Sequence, residues 1–379
     1  MTGQPLAVPG ILSAEQIAHT GRFIASQQSA DGAIPWFTGS HLDPWDHVES
    51  AMGLSVSGHH GAALAAYDYL ARAQRRDGSW PMVTRGAHVE DAAADTNQCL
   101  YIATGVWHHY LVTGDADVVA RYWPTIERAV GFASGAVLGS GALAWAVSAV
   151  GQVQDFALVT GNASAAQSLE CAVSIAERLG HDRPAWRALS EGIHDALRVL
   201  PTAFADRDRF SMDWYYPILC GSIRGDAGRA RMDASWDRFV WPERGCRCVE
   251  DQPWITAAET AELVAALDAL GEYDRAATMF ADIQFLRDEE SGGYWTGRNI
   301  PQGVHYPVEQ TSWSAAAVLF AADALTQTTG GADLFRDANS ARPSSAARSA
   351  SKGGENVDGL AYSSTIRPFA HPSMEGEVR

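Results

Sequence analysis

Apolar residues recur at helical spacing from residue 13 to about residue 326, whereas the period-two alternation of a strand is hard to find. Ser13-Ala14-Glu15-Gln16 reads as a capped helix start, with Ile17, Phe23 and Ile24 as the buried stripe behind it. The same spacing predicts helices near 13–28, 45–58, 60–75, 91–113, 116–138, 142–161, 163–179 with 184–199, 213–224, 227–238, 254–270, 272–287 and 308–326. With 163–199 taken as one broken element, these make twelve. Gly32, Gly58, Gly78, Gly114, Gly161, Gly221, Gly271 and the pair Gly292-Gly293 separate them as helix breakers.

The even-numbered helices are richer in small and apolar residues, as in "AAADTNQCLYIATGV" and "WITAAETAELVAAL", and are expected to be buried on several faces. The odd-numbered ones carry the arginines and glutamates and are expected outside. Twelve helices in sequential hairpins can stack as an open solenoid or close as a ring of six hairpins. A weak repeat points to a repeated hairpin. Gln28 leads through Asp31-Gly32 to Trp36, Gln74 through Asp77-Gly78 to Trp80, and Gln284 through Gly292-Gly293 to Trp295. The expected fold class is all-α. Periodicity stops near 329, and 329–379 is rich in Ser, Ala, Gly and Arg. The chain therefore divides into a helical domain, 1–328, and a tail expected to be disordered.

Composition narrows the function. The net charge of −17 excludes a phosphate-backbone binder, and Lys352 is the only lysine. No apolar run is long enough for a membrane span and no export signal opens the chain, so a cytoplasmic protein is expected. Cys99, Cys171, Cys220, Cys246 and Cys248 are odd in number and scattered, as reduced thiols are. His59-His60 and His108-His109 are neighbours whose side chains diverge by about 100° on a helix. Neither a metal nor a cofactor is expected.

In a closed ring the inner helices share one mouth, where their free N–H groups and positive dipole ends gather. The expected inner starts read Asp43-Pro-Trp45-Asp46-His47-Val-Glu49, then Glu90-Asp91 with Asp95-Thr-Asn97-Gln98. They continue with Asp213-Trp214-Tyr215-Tyr216, Glu250-Asp251-Gln252-Pro-Trp254 with Glu259, and His305-Tyr306-Pro-Val-Glu309-Gln310-Thr-Ser-Trp313. Only the third, expected near Trp145, lacks an acid. Capping accounts for the acids. It does not account for the aromatics beside them, which together with carboxylates suit a carbohydrate. Glycoside hydrolysis needs two carboxyl groups, one protonated and one ionised. Asp46 and Glu259 are the candidate pair, and Asp43, Glu49, Asp251, Glu309 and Glu262 compete. Trp36, Asp43, Trp45, His47, Glu49, Asp95, Asn97, Asp213, Trp214, Tyr215, Asp251, Trp254, Tyr294, Trp295, Glu309, Gln310 and Trp313 are the candidate sugar-binding residues. A lone histidine beside a helix start, as His47 is, more often serves as a hydrogen-bonded structural group than as a sugar ligand.

The stretches "TGDADVVARYWPTIERAVGFA" (113–133) and "RLGHDRPAWRALSEGIHDALR" (178–198) resemble outer helices of the (α/α)6-toroid glycosidases, which include glucoamylases, trehalases and mannosylglycerate hydrolases. With "PWDHVESAMGL" in the first inner helix, the chain is most similar to the intracellular methylmannose polysaccharide hydrolase family. That resemblance implies an (α/α)6 toroid of six hairpins and inverting endo-hydrolysis of methylated α-1,4-mannan. It places the family's early aspartate, the proton donor, on Asp46 and its late glutamate, the base, on Glu259. Two other readings compete. The Gln…Asp-Gly…Trp repeats also fit a terpenoid cyclase or prenyltransferase, although the DxDD cluster is absent. A non-catalytic glycan-binding toroid would carry the aromatics without two facing carboxylates.

Overall fold

The computed structural model describes residues 5–336. Its helices are α1 Ala14–Gln27, α2 Pro44–Val56, α3 His60–Ala73, α4 Thr96–Thr113, α5 Ala116–Ser134, α6 Val159–Arg178 and α7 Pro184–Val199. They continue as α8 Ser211–Leu219, α9 Gly225–Ala234, the single turn α10 Trp236–Phe239, α11 Ala257–Ala269, α12 Tyr273–Asp282 and α13 Ser312–Thr326. Leaving α10 aside, they pair into six hairpins. The inner helices pack in sequence, α2 on α4, α4 on α6, α6 on α8, α8 on α11 and α11 on α13, and α13 returns to α2. The ring is closed, and the fold is an (α/α)6 toroid. The outer helices α1, α3, α5, α7, α9 and α12 lie against it.

Composition explains the two layers. In α13, "SWSAAAVLFAADALT", every residue from Ser312 to Ala324 is buried, because alanines let α2 and α11 approach from both sides. Outer α7 buries only Ser190, Ile193, His194 and Ala196, one stripe of an amphipathic helix.

One element differs from expectation. Residues 142–161 form no helix until Val159. They hold Ala146–Val147, paired antiparallel with Ala94–Asp95, and a long loop. The third inner helix is α6, and the segments expected to be one broken helix are an inner and an outer helix. α6 has no cap of its own, and an acid from α8 serves it instead. Thr160 donates to Asp213 Oδ1 from its backbone N (3.1 Å) and its hydroxyl (2.5 Å).

The connections are unequal. Inner-to-outer turns are short, at 57–59, 114–115, 179–183, 220–224 and 270–272. Outer-to-inner connections are long, at 28–43, 74–95, 135–158, 200–210, 235–256 and 283–311. All the long ones therefore lie at the mouth, where they pair with one another by backbone. Leu42 bridges Thr84, Ala94 pairs with Val147, Ala157 bridges Phe204, and Phe210 bridges Val249. Trp254 pairs with Asn299, and Ser312 N donates to Trp36 O (2.9 Å). These six links form a girdle around the mouth.

At the far end the packed chain runs past the expected boundary at 328. Thr329 caps the short helix Gly330–Asp333 and bonds Asp323 of α13. Gln167 of α6 donates to Leu334 O (3.2 Å). Arg224, after α8, donates to Phe335 O. Arg336 forms a two-pronged pair with Asp268 of α11 (2.6 and 2.5 Å). Residues 329–336 thus cross the end of the ring, with Leu334 and Phe335 buried. The remainder of the expected tail, 337–379, lies outside the described residues.

Candidate active site

Asp46 and Glu259 lie in the first turns of α2 and α11. These helices are not adjacent in the ring, since α13 stands between them and packs on both. The two carboxyls are close enough for the Glu259 charge to act on Asp46. Both are nearly enclosed, at 7% and 2% exposure. Burial lifts Asp46 to about 7, against the pull of a hydrogen bond with the Asp43 carboxyl and with a further push from the Glu259 charge. Two hydrogen-bonded carboxyls need a proton on one of them. Asp43 is also the cap of α2, its Oδ1 accepting from Trp45 N (2.9 Å) and Asp46 N (3.0 Å). It therefore fixes Asp46 in place. Glu259 receives a hydrogen bond from the Cys248 thiol, and its Oε2 has no hydrogen-bond partner.

One turn deeper on each helix sit Glu49 and Glu262. Tyr215 and Tyr216 donate to the two oxygens of Glu262, the latter at 2.6 Å. Trp45 Nε1 (3.2 Å) and Tyr101 (3.4 Å) both donate to Glu49 Oε2. Burial first, then mutual repulsion, pushes Glu49 well up, and burial pushes Glu262 up despite the two hydroxyls. On α4, Asp95 caps the helix through Asn97 N (2.8 Å) and Gln98 N (3.0 Å) and takes a bond from Trp145. Burial lifts it to about 6. Asn97 Oδ1 is buried without a hydrogen-bond partner. Among the described residues no group of three or more His, Cys, Asp or Glu could hold a metal ion.

An MMP endo-(1,4)-3-O-methyl-α-D-mannosidase of Mycolicibacterium hassiacum is 48% identical over 329 residues, 87% of this chain and 91% of that protein. The chain belongs to this endo-mannosidase family. It is a glycoside hydrolase, and the cyclase and non-catalytic readings fall away. No family model matches the chain. Among solved structures, a GH63 mannosylglycerate hydrolase from Thermus thermophilus, in complex with glucose, aligns with TM-score 0.63 at 13% identity, over 80% of this chain and 99% of that one. A D-mannose isomerase aligns with TM-score 0.62 at 12% identity, over 83% and 96%. At that identity the likeness is of fold alone, and one ring serves different chemistries.

In this member of the family, several expected sugar-binding residues have other work. His47 is fully buried, with Nδ1 accepting from Ile34 N (3.0 Å) and Nε2 against Ala66 O (2.9 Å), so it ties the 28–43 connection to α3. Trp214 stacks on Phe239 and donates to Arg231 O (2.9 Å), which directs it away from the lumen. Tyr215 serves Glu262, and Asp213 serves α6. Asp251 lies on the surface, 58% exposed, paired with Arg209. Tyr294 is fully buried and donates to Gln284 Oε1 (2.7 Å). Gln310 Oε1 is taken by Ser291 (2.6 Å).

Trp36 and Trp313 are buried as well, at 1% and 5% exposure, while Trp45, Trp254, Trp295 and Glu309 stay half-buried. Trp36 donates to Glu309 (2.7 Å) and packs between His41 and Trp313. Trp295 stacks on His305, and Trp254 lies against Tyr306. Tyr101 and Cys248 did not stand out in the sequence. Tyr101 could have been found, since it lies one turn below Asn97 on an inner helix. Nothing local marks Cys248.

Proposed function

We propose that this chain hydrolyses internal α-1,4 bonds of a 3-O-methylated mannan, with inversion at the anomeric carbon. Neutral Asp46 donates its proton to the glycosidic oxygen. The Glu259 carboxylate takes a proton from the water that attacks the opposite face of the sugar. The supporting observation is the pair itself: two enclosed carboxyls at the same end of non-adjacent inner helices, one of them held protonated to about pH 7 by burial. The two acids stand on helices separated by α13, and inversion needs a water as well as the sugar between them. The half-buried Trp45, Trp254 and Trp295 offer flat apolar faces to pyranose rings and methyl groups. Neither a metal nor a cofactor enters the reaction, and the net charge of −17 makes nucleic acid an unsuitable partner. Among the described residues no helix is long and apolar enough to cross a membrane. Five cysteines held as thiols fit a cytoplasmic setting.

The test is cleavage of 3-O-methylated α-1,4-mannan oligosaccharides, followed by reducing ends and by proton NMR of the first anomer formed. A β product and a loss of at least about a thousandfold in kcat for both Asp46→Asn and Glu259→Gln are expected. The alkaline limb of kcat/KM should fall near pH 7, where Asp46 loses its proton. An α product first, or near-normal turnover in either variant, would refute the assignment.

A further inference from the structure

The long connection 235–256 sets a cysteine against the proposed base. Residues 246–249 are tied down through their backbone on two sides. Cys246 N donates to Thr260 Oγ1 on α11 (2.8 Å), and Arg247 bridges Ile255 just before that helix. Ser211, the first residue of α8, donates to Cys248 O from its N (3.0 Å) and its hydroxyl (3.2 Å), and Val249 bridges Phe210. Cys248 is therefore fixed between the starts of α8 and α11, beside the turn that carries Glu259. It is 6% exposed, and its thiol donates to the Glu259 carboxyl. Burial first, then the Glu259 charge, holds the thiol well above its usual range, so it stays an S–H donor.

Glu259 has two oxygens. Oε2 is buried and has no hydrogen-bond partner, so the thiol bond falls on Oε1. A buried carboxylate oxygen left undonated is costly. A base has a use for that asymmetry, because it needs one oxygen held still and the other open to the proton of the water. A thiol is a weak donor. It steadies the carboxylate while lowering its basicity less than a hydroxyl or an amide would.

We propose that Cys248 is the positioning residue of the base: its S–H holds Glu259 Oε1 and so turns Oε2 toward the water that attacks the sugar. Cys248 acts only through Glu259, and the inference rests on the base role given above to that residue.

Cys248→Ala deletes the donor, and Cys248→Ser keeps one. On 3-O-methylated α-1,4-mannan oligosaccharides, Cys248→Ala should lose at least about tenfold in kcat, with KM within about twofold of wild type. Cys248→Ser should turn over at least about threefold faster than Cys248→Ala. A side chain that only filled space would give the reverse order, since a buried site without a hydrogen-bonding role takes a methyl group better than a hydroxyl. Turnover in Cys248→Ala equal to or above that of Cys248→Ser, or a change confined to KM, overturns the proposal.

Infrared spectra read the bond without turnover, and they decide the matter if either variant does not fold. The S–H stretch absorbs apart from water and peptide bands, and its frequency falls as the thiol donates more strongly. Glu259→Gln exchanges a charged acceptor for a neutral one, so one band among the five thiols should move to higher frequency. Thiol bands that stay where they are overturn the proposal. Failure of the base assignment would show separately, as near-normal turnover in Glu259→Gln while the thiol band still moves.

Discussion

Asp46 carries a stability cost that its chemistry requires. Its carboxyl sits at about 7 in the folded chain against 3.8 ordinarily, so between roughly pH 4 and 7 the folded state holds a proton that the unfolded state has released. The stability contributed by this group is complete below pH 4 and declines as pH rises through 7, by up to about 4 kcal/mol. Asparagine cannot ionise. Asp46→Asn is therefore expected to be more stable than wild type at pH 8, with the gap closing toward pH 4. Urea midpoints at the two pH values would check this, and a variant less stable at pH 8 would contradict it. Sequence reading expected Asp46 and Glu259 in the first turns of inner helices, and both lie there, on α2 and α11. Its structural reading of His47 fits the buried, hydrogen-bonded ring, whereas Trp214 and Tyr294 are buried on other partners, because local sequence does not say which way an aromatic turns.

The hairpin repeat is explained at the level of elements. Gln28 Nε2 donates to Gly32 O and to Ala62 O on α3, and Gln74 Nε2 to Gly78 O and to Thr125 O on α5. Each glutamine pins a glycine turn to the next outer helix. Gly32 and Gly78 have φ of +96° and +94°, and a Cβ on them would lie 2.2 Å from Ala65 O and 2.1 Å from Arg128 O. Gly78→Ala is expected to cost at least about 2 kcal/mol in chemical denaturation, from backbone strain and steric overlap together. A neutral result would mean that the turn is not clamped. Gln284 breaks the pattern by bonding Phe280 O within its own helix end. The third inner helix was misplaced for a related reason. "GALAWAVSAV" has helical composition, while the real start at Val159 borrows its acid from Asp213, about fifty residues away. A cap supplied from a distant element leaves no local trace.

For the whole molecule, the count of hairpins and the alternation of rich and poor helices left an open solenoid and a closed ring as alternatives, and the resemblance to the toroid glycosidases implied the closure that the helix packing shows. The docking of 329–336 was not, because Leu334, Phe335 and Arg336 are too few to show a period. Their attachment is substantial. Asp268 is 2% exposed and Arg336 24%, so Arg336→Ala leaves a buried carboxylate unpaired. A loss of about 1–3 kcal/mol by thermal or urea denaturation is expected, and an unchanged midpoint would argue against the docking. This strap crosses the end of the ring away from the mouth, from α6 to α11. A polymer is therefore expected to enter and leave by the mouth rather than be threaded through the ring. Each cut must be made on a stretch laid across or dipped into the entrance, and the fragments must back out the way they came. An enzyme built so releases its polymer between cuts, and should yield a scatter of intermediate lengths from the first minutes of digestion rather than a steady run of short products.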